Sequence, residues 1–273
     1  MIRRVKAEVF RQCQARFPDW ARLSIDEFEF DDPKGFSSFT MGVRCRQPSN
    51  PPAVLYRRLE GKENAILEFE AEKEVFLTLG ANDIAAHCHY YDDSCRIESF
   101  YQGRTLVAAD LFEPGNLRQI ADQLYRFHQI APPVLPQHSF FELLHEKWGR
   151  LARRVLEEKS EQFPPEERAM CEDLQQIYSP ETFEKVRRHI PSGEMTFCHN
   201  DTYHGNIMKL ANGEVKLLDF EFSCMNNKAY DFSNLFAETV MEHQQPESPY
   251  FRIAEPSYSD RELGMLIDFY LDN

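Results

Sequence analysis

The sequence predicts an α+β fold in which a small antiparallel sheet lobe precedes a larger helical lobe. Apolar residues alternate between turn signals in roughly the first hundred residues, which is typical of short strands. Helical apolar periodicity dominates the remainder of the chain. With 273 residues, 42% of them hydrophobic and 28% charged, the chain is long enough for two compact lobes of a globular protein.

The first predicted lobe, 1–103, begins with a helix over 1–16, where apolar residues recur at helical spacing. Residues 39–46 then alternate apolar and polar side chains, as a strand does. The turn cluster QPSNPP follows, so 53–59 is predicted as the returning strand of a hairpin. A helix over 68–79 and two short strands, in HCHYY and RIESFY, complete this lobe.

The second predicted lobe, 104–273, contains two amphipathic helices over 117–130 and 140–159. The polar stretch FCHNDTYHGNIMKL follows at 197–210, then the turn ANG, then VKLLDFEF at 215–222. The turn predicts a hairpin between the two apolar runs.

Three polar residues of this segment are predicted to meet. The hairpin brings Asn206 and Asp219 to the same end, where two oxygen donors suit the hard cation Mg²⁺. Asp201 would face the same space and could accept the proton of a hydroxyl nucleophile. This combination is typical of phosphoryl transfer, which also needs a basic residue on a strand of the first lobe. Arg58 or its neighbour Arg57 could hold phosphate there.

A third polar set lies on one predicted helical face, since Asp231, Asn234 and Glu238 are spaced i, i+3 and i+7. Asp231 could instead be the N-cap of that helix.

Charge and cysteine usage limit the classes of partner and compartment. The net charge is -14, of which 104–273 carry -11, so a nucleic acid partner is not expected. An acidic surface that only confers solubility would give the same charge. Seven cysteines without a C-x-x-C pair favour a reducing, cytoplasmic location. No apolar run is long enough for stable membrane insertion.

The motifs HNDTYHGNI and LLDFEFSCMNNKAYDFSNLFAE resemble those of the choline/ethanolamine kinase family. The shared pattern falls on His199, Asn200, Asp201, Asn206, Asp219, Glu221, Asn226, Asp231, Asn234 and Glu238. GFSSF, RLEG, EKEVFLTL and IESFYQGRTL resemble that family's phosphate loop, basic strand, partner helix and hinge. The resemblance implies a bilobal protein-kinase-like fold, with a nucleotide-binding first lobe and a second lobe that carries the catalytic and substrate sites.

The resemblance also implies a role for each matching residue. Asp201 is the expected catalytic base, and the expected metal ligands are Asn206, Asp219 and Glu221. ATP contacts are expected at Gly35, Ser37, Ser38, Arg58, Glu72, Glu98 and Phe100, with Arg58 paired to Glu72. Substrate contacts are expected at Asp201, Glu238 and Phe222. Structural support is expected from His199, Asn226, Asp231 and Asn234.

The implied activity is the ATP- and Mg²⁺-dependent phosphorylation of the hydroxyl of choline, ethanolamine or both. This reaction is the first step of phospholipid head-group synthesis by the CDP-choline or CDP-ethanolamine route. A related phosphotransferase for another hydroxylated amine, such as an aminoglycoside-like compound, is the first alternative. A catalytically incomplete pseudokinase or binding module is the second. Chains of the family continue past the position of Asn273, so the second lobe is expected to be truncated at its C-terminus. A homodimer is left open.

Overall fold

The computed structural model describes residues 2–32, 39–59, 69–135, 139–243, 245–247, 251–256 and 258–273. The described residues fall into two compact units. Unit 1 lies within Met1–Asn64, Phe76–Arg104 and Leu210–Gly213, and unit 2 comprises the rest.

Unit 1 is built on a five-stranded antiparallel sheet with the strand order β1-β2-β3-β5-β4. Helix α1 (Ile2–Gln14) precedes this sheet. The strands are β1 (Phe28–Phe30), β2 (Thr40–Cys45), β3 (Ala53–Arg58), β4 (Cys88–Tyr91) and β5 (Cys95–Ser99). The predicted hairpin is confirmed, because β2 and β3 pair antiparallel with Val43 opposite Val54.

The two faces of the unit 1 sheet pack against different partners. On one face, Val54, Tyr56 and Ile97 pack in one apolar cluster with Val9 and Phe10 of α1. On the other face, the Arg96 guanidinium lies 3.6 Å from the ring centroid of Phe76, which belongs to helix α2 (Phe69–Ala81). Because strand side chains alternate between faces, the position of each strand residue decides which partner it meets.

Unit 2 is mainly helical, and residues of α2, of strand β6 (Gly103–Thr105) and of strand β8 (Ile207–Leu210) are divided between the two units. Its helices are α3 (Ala108–Leu111), α4 (Pro114–His128), α5 (Phe140–Glu142), α6 (Arg150–Lys159), α7 (Pro165–Ile177), α8 (Pro180–His189), α9 (Ala229–Ala237) and α10 (Asp260–Leu271). The predicted helix over 140–159 is confirmed as a continuous helical stretch, in which a π-helical segment, Leu143–Gly149, lies between α5 and α6.

The core of unit 2 lies along α4. Its apolar stripe, which includes Leu117, Ile120 and Leu124, is fully buried. Helix α10 packs along α4. The Phe127 ring stacks on Phe197, with ring centroids 5.2 Å apart.

Short antiparallel strand pairs carry the polar segments of unit 2. The strands are β7 (Met195–Cys198), β8 (Ile207–Leu210), β9 (Val215–Leu217), β10 (Cys224–Asn227), β11 (Met241–His243) and β12 (Phe251–Ile253). β7 pairs with β10, β8 with β9, and β11 with β12. The antiparallel sheets and separate helices confirm the predicted α+β class. Within the described ranges, every helix is too short or too polar to cross a membrane.

Candidate active site

The β8–β9 hairpin brings two predicted metal ligands to one end. Ile207 lies opposite Leu217, and the Leu218 amide donates a 2.8 Å hydrogen bond to the carbonyl oxygen of Asn206. Asn206 precedes β8 and Asp219 follows Leu218, so the two residues flank the same end of the hairpin. This arrangement confirms the hairpin that the ANG turn predicts.

The Asp201 carboxylate contacts Asn206 directly. Asn206 Nδ2 donates to the carbonyl oxygen of Asp201 at 3.0 Å and to its Oδ2 at 2.7 Å. Both bonds use the amide nitrogen, so Oδ1 of the same amide remains as an acceptor. The candidate base and a candidate metal ligand are therefore held in one hydrogen-bonded pair.

Burial raises the pKa of Asp201 above its usual value. The hydrogen bond from Asn206 acts in the opposite direction, whereas the carboxylates of Asp219 and Glu238 raise the pKa further. A carboxylate with a raised pKa is a stronger proton acceptor, which is what a general base requires.

His199 connects two segments of the site through its ring nitrogens. Its Nε2 lies 2.9 Å from the Leu218 carbonyl oxygen, which can only accept, so Nε2 carries the proton. Its Nδ1 accepts the Asp201 backbone N–H at 3.2 Å. Neutral His199 therefore ties the Asp201 segment to the residue that precedes Asp219.

Asp231 anchors the same loop from helix α9. Its Oδ2 accepts the His199 amide at 2.9 Å, and its Oδ1 accepts the Asn200 amide at 2.7 Å. The alternative role of Asp231 as helix N-cap is wrong, because Lys228 holds the N-cap position. The carboxylate instead satisfies two buried backbone donors of a neighbouring loop.

The other predicted support residues contact this loop through their side-chain amides. Asn226 Nδ2 donates to Asn200 Oδ1 at 2.8 Å, and Asn234 Nδ2 donates to the Thr202 carbonyl oxygen at 3.3 Å. Asn200 Nδ2 donates in turn to the Phe222 carbonyl oxygen at 3.0 Å.

Two loop residues adopt a strained backbone conformation. Asn200 has φ 67° and Asp219 has φ 61°, both in the left-handed region. Asn and Asp enter this region more readily than other residues with a side chain, although at some cost. Such strain persists where surrounding contacts impose it, and functional sites are enriched in it.

The remaining predicted residues of unit 2 lie along the same segment. Glu221 and Phe222 are half-buried, and the Phe222 ring packs edge-on against Trp148 with centroids 5.9 Å apart. Glu238 begins the 3₁₀ turn Glu238–Val240 after α9 and acts electrostatically on Asp201.

Tyr203 is a member of the site that sequence reasoning missed. Burial raises its pKa, and the carboxylates of Asp201, Asp219 and Glu238 raise it further. A Cβ atom on Gly205 would lie 2.5 Å from the Tyr203 ring, so a side chain at this position would displace the ring. The pair Y-x-G within the motif was the available signal.

The predicted nucleotide residues that the structure describes lie mostly in unit 1. Arg58 shares a sheet face with Tyr56, so it points to the α1 side, where it pairs with Glu8 at 3.4 Å. Arg57 lies directly opposite Arg96, on the other face.

Glu98 and Phe100 lie at and just beyond the end of β5. The Glu98 carboxylate is buried and accepts a 2.6 Å hydrogen bond from Arg96 Nε. The Phe100 ring lies beneath the Arg44 guanidinium at 4.4 Å. Glu72 is half-buried on the part of α2 that belongs to unit 2. Gly35, Ser37 and Ser38 lie outside the described residues.

Most of the chain matches the model of one protein family. The model of the choline/ethanolamine kinase family matches residues 34–273. The chain belongs to the choline/ethanolamine kinase family. The match includes every residue of the site described above in unit 2, and it confirms the family that the motifs indicate.

Among curated members of this family, the chain resembles the human choline/ethanolamine kinase. The two are 25% identical over 260 residues, which cover 89% of this chain and 62% of the human protein. The chain thus spans less than two-thirds of the length of this relative.

Solved structures confirm the protein-kinase-like fold. The choline kinase of Cryptosporidium parvum superimposes with a TM-score of 0.75 at 20% identity, over 97% of this chain and 78% of that chain. APH(2")-IIa, solved as a ternary complex with streptomycin and ATP, gives a TM-score of 0.58 at 14% identity. That match covers 97% of this chain and 82% of the other. The choline/ethanolamine kinase family therefore shares its fold with aminoglycoside-binding enzymes.

Proposed function

We propose that this chain phosphorylates the hydroxyl of choline, ethanolamine or both with ATP, as the first step of phospholipid head-group synthesis. One observation carries the proposal: the Asp201 carboxylate is hydrogen-bonded to Asn206 at 2.7 Å, and Asp219 lies at the same end of the hairpin. A base beside two oxygen donors is the combination that phosphoryl transfer to an alcohol requires.

Asp201 accepts the proton of the substrate hydroxyl as the hydroxyl oxygen bonds to the γ-phosphorus of ATP. The bond from that phosphorus to the bridging oxygen breaks, and this oxygen leaves with ADP. Burial supports this role because it raises the pKa of the carboxylate. The hydrogen bond from Asn206 fixes one carboxylate oxygen, and the other remains available to orient the hydroxyl. His199 and Asp231 hold the backbone on which the base stands.

Asn206, Asp219 and Glu221 are the proposed ligands of Mg²⁺. The donor set fits this ion, because it offers the amide oxygen of Asn206 and two carboxylates, and Mg²⁺ prefers oxygen. A bound Mg²⁺ would neutralise charge on the phosphates of ATP. The ion takes only a few protein ligands, so three residues are a sufficient set.

The phosphates of ATP are proposed to contact Arg57 rather than Arg58. Arg57 shares a face with Arg96 and Glu98 of β5, whereas Arg58 extends toward α1 and pairs with Glu8. The family motif RLEG favoured Arg58, but strand alternation assigns that residue to the face that α1 covers.

Further nucleotide contacts are proposed from the family pattern. The backbone near Glu98 and Phe100 would meet adenine, Glu72 would orient the basic residue, and the loop with Gly35, Ser37 and Ser38 would cover the phosphates through its N–H groups.

The acidic character of unit 2 supports a cationic substrate. Asp201, Asp219 and Glu238 lie close enough to act together on Tyr203. Glu238 is proposed to face the ammonium group, and the ring of Phe222, which packs against Trp148, would offer an aromatic surface to it. All seven cysteines are free thiols, which fits a cytoplasmic location.

The test is ADP release with Mg·ATP in the presence of choline, ethanolamine, streptomycin or no acceptor, with Asp201→Asn alongside. We expect turnover that depends on choline or ethanolamine and falls about 100-fold or more in the variant, as loss of a general base should. Turnover with streptomycin alone would replace the proposed substrate with an aminoglycoside. Acceptor-dependent turnover that survives in Asp201→Asn would remove Asp201 from the mechanism.

A further inference from the structure

A buried hydrogen-bond chain leads from helix α10 to the loop that carries Asp201. The Tyr270 hydroxyl lies 2.9 Å from His128 Nδ1, and His128 Nε2 lies 2.9 Å from Asp231 Oδ2. The side chains of His128 and Asp231 are 1% and 0% exposed, and Tyr270 is also buried. The same Asp231 carboxylate accepts the backbone amides of His199 and Asn200.

The hydrogen bonds from Tyr270 through His128 to Asp231 can all be formed with one assignment of donors and acceptors. Asp231 receives two backbone N–H donors and acts as an acceptor, so His128 Nε2 must carry a proton to bond to it. In neutral His128, Nδ1 then accepts the O–H of Tyr270. Burial raises the pKa of Tyr270 to about 12, so this hydroxyl keeps its proton at neutral pH.

A structural metal centre is a poorer account of these residues. His128, Cys198 and Asp231 lie close enough together to share an ion. However, both ring nitrogens of His128 and both carboxylate oxygens of Asp231 already have hydrogen-bond partners. Burial raises the pKa of Cys198 well above its usual value, which disfavours the thiolate that a metal requires.

We propose that Tyr270 is a positioning residue for the catalytic loop. Through His128 it fixes the Asp231 carboxylate, which in turn holds the amides of His199 and Asn200. Asn200 has φ 67°, so the loop needs an external constraint to keep the backbone that presents Asp201. The effect on turnover rests on the proposed function, whereas the link, meaning the hydrogen bonds from Tyr270 through His128 to Asp231, does not.

The test compares Tyr270→Phe with Tyr125→Phe. Both substitutions remove only a hydroxyl from the same aromatic cluster, in which the two rings meet edge-on at 5.5 Å. Only the Tyr270 hydroxyl bonds to His128. Amide hydrogen exchange is measured for the segment that contains His199 and Asn200, and for the core strand β9 as a reference.

We expect Tyr270→Phe to speed exchange of the His199 and Asn200 amides about tenfold, because a hydrogen bond that supports their acceptor is lost. Exchange in β9 should not change, and Tyr125→Phe should match the unsubstituted chain. In the ADP assay, we expect kcat of Tyr270→Phe to fall about five- to tenfold with both KM values within about twofold.

Two exchange results would overturn the proposal. Unchanged exchange at His199 and Asn200 would show that the link does not hold the loop. Equally faster exchange in the loop and in β9 would show general destabilisation instead. Local loosening with unchanged kcat would refute the role in turnover. If the unsubstituted chain transfers no phosphoryl group, the proposed function fails, and the exchange experiment still decides whether the link exists.

Discussion

Substitution of the two adjacent arginines of β3 tests the nucleotide assignment most sharply. Arg57 and Arg58 are alike in chemistry and sequence position, yet they lie on opposite faces of the sheet. Arg57→Gln and Arg58→Gln are therefore matched variants, each of which removes one guanidinium. The two variants differ in the face of the sheet that loses the guanidinium.

The structure gives different magnitudes for the two changes. A hydrogen bond to a charged group is worth about 1.5–3 kcal/mol, so loss of a phosphate contact by Arg57 should lower kcat/KM for ATP about 10- to 100-fold. Arg58 pairs with Glu8 at 3.4 Å, and their side chains are 28% and 49% exposed. Solvent screens such a pair, so Arg58→Gln should cost about 0–1 kcal/mol of stability and leave kcat/KM nearly unchanged.

The assay is initial-rate kinetics with varied ATP and saturating acceptor, together with the urea midpoint of each variant. The expected result is a kinetic defect in Arg57→Gln and at most a small stability defect in Arg58→Gln. The opposite pattern would refute the reasoning, because the phosphates would then be held from the face that α1 covers. Equal kinetic defects would also contradict it, since only one face can meet the same phosphate group.

Two further predictions address the metal site and acid stability. Asp219→Ala should abolish Mg·ATP turnover, whereas Asp83→Ala, which alters another Asp with positive φ, should retain it in the ADP assay. Burial acts to raise the pKa of Asp92, but hydrogen bonds from Tyr90 and Ser94 outweigh it and hold the pKa well below its usual range. That stabilisation is present above the unfolded-state pKa and is lost as pH falls. Asp92→Asn should therefore be less stable at pH 7 by about 1–2 kcal/mol, and the difference between the two urea midpoints should begin to shrink as pH falls below about 4.

Local signals in the sequence were sufficient for the hairpin and for the grouping of its polar residues. The turn ANG, between two apolar runs, fixes the pairing of Ile207 with Leu217, and the pairing fixes where Asn206 and Asp219 lie. Such information is contained within about twenty residues, so tertiary context has little opportunity to override it.

The local sequence does not predict the role of a residue whose hydrogen-bond partner is distant in the chain. Asp is a common residue at helix N-caps, but the Asp231 carboxylate instead accepts hydrogen bonds from two amides about thirty residues earlier in the chain. The partner of His128 in α10, Tyr270, is 142 residues away, and nothing in either local sequence indicates the other. The alternation of β3 was visible, but apolar residues lie on both of its faces, so the pattern did not tell which arginine faces α1.

The acidic residues of the candidate site in unit 2 include one fully buried carboxylate and three half-buried ones, and their surroundings differ. Asp231 is completely buried, and backbone and imidazole donors surround its carboxylate, so protein groups satisfy it fully. Asp201, Asp219 and Glu238 are only half-buried, and each acts to raise the pKa of Tyr203. Like charges at this spacing repel, and the repulsion is strongest without counterions. A metal ion, and an ammonium group on the acceptor, would each relieve it. The same acidic set that repels itself in the free chain thus favours the two cationic components of the proposed reaction.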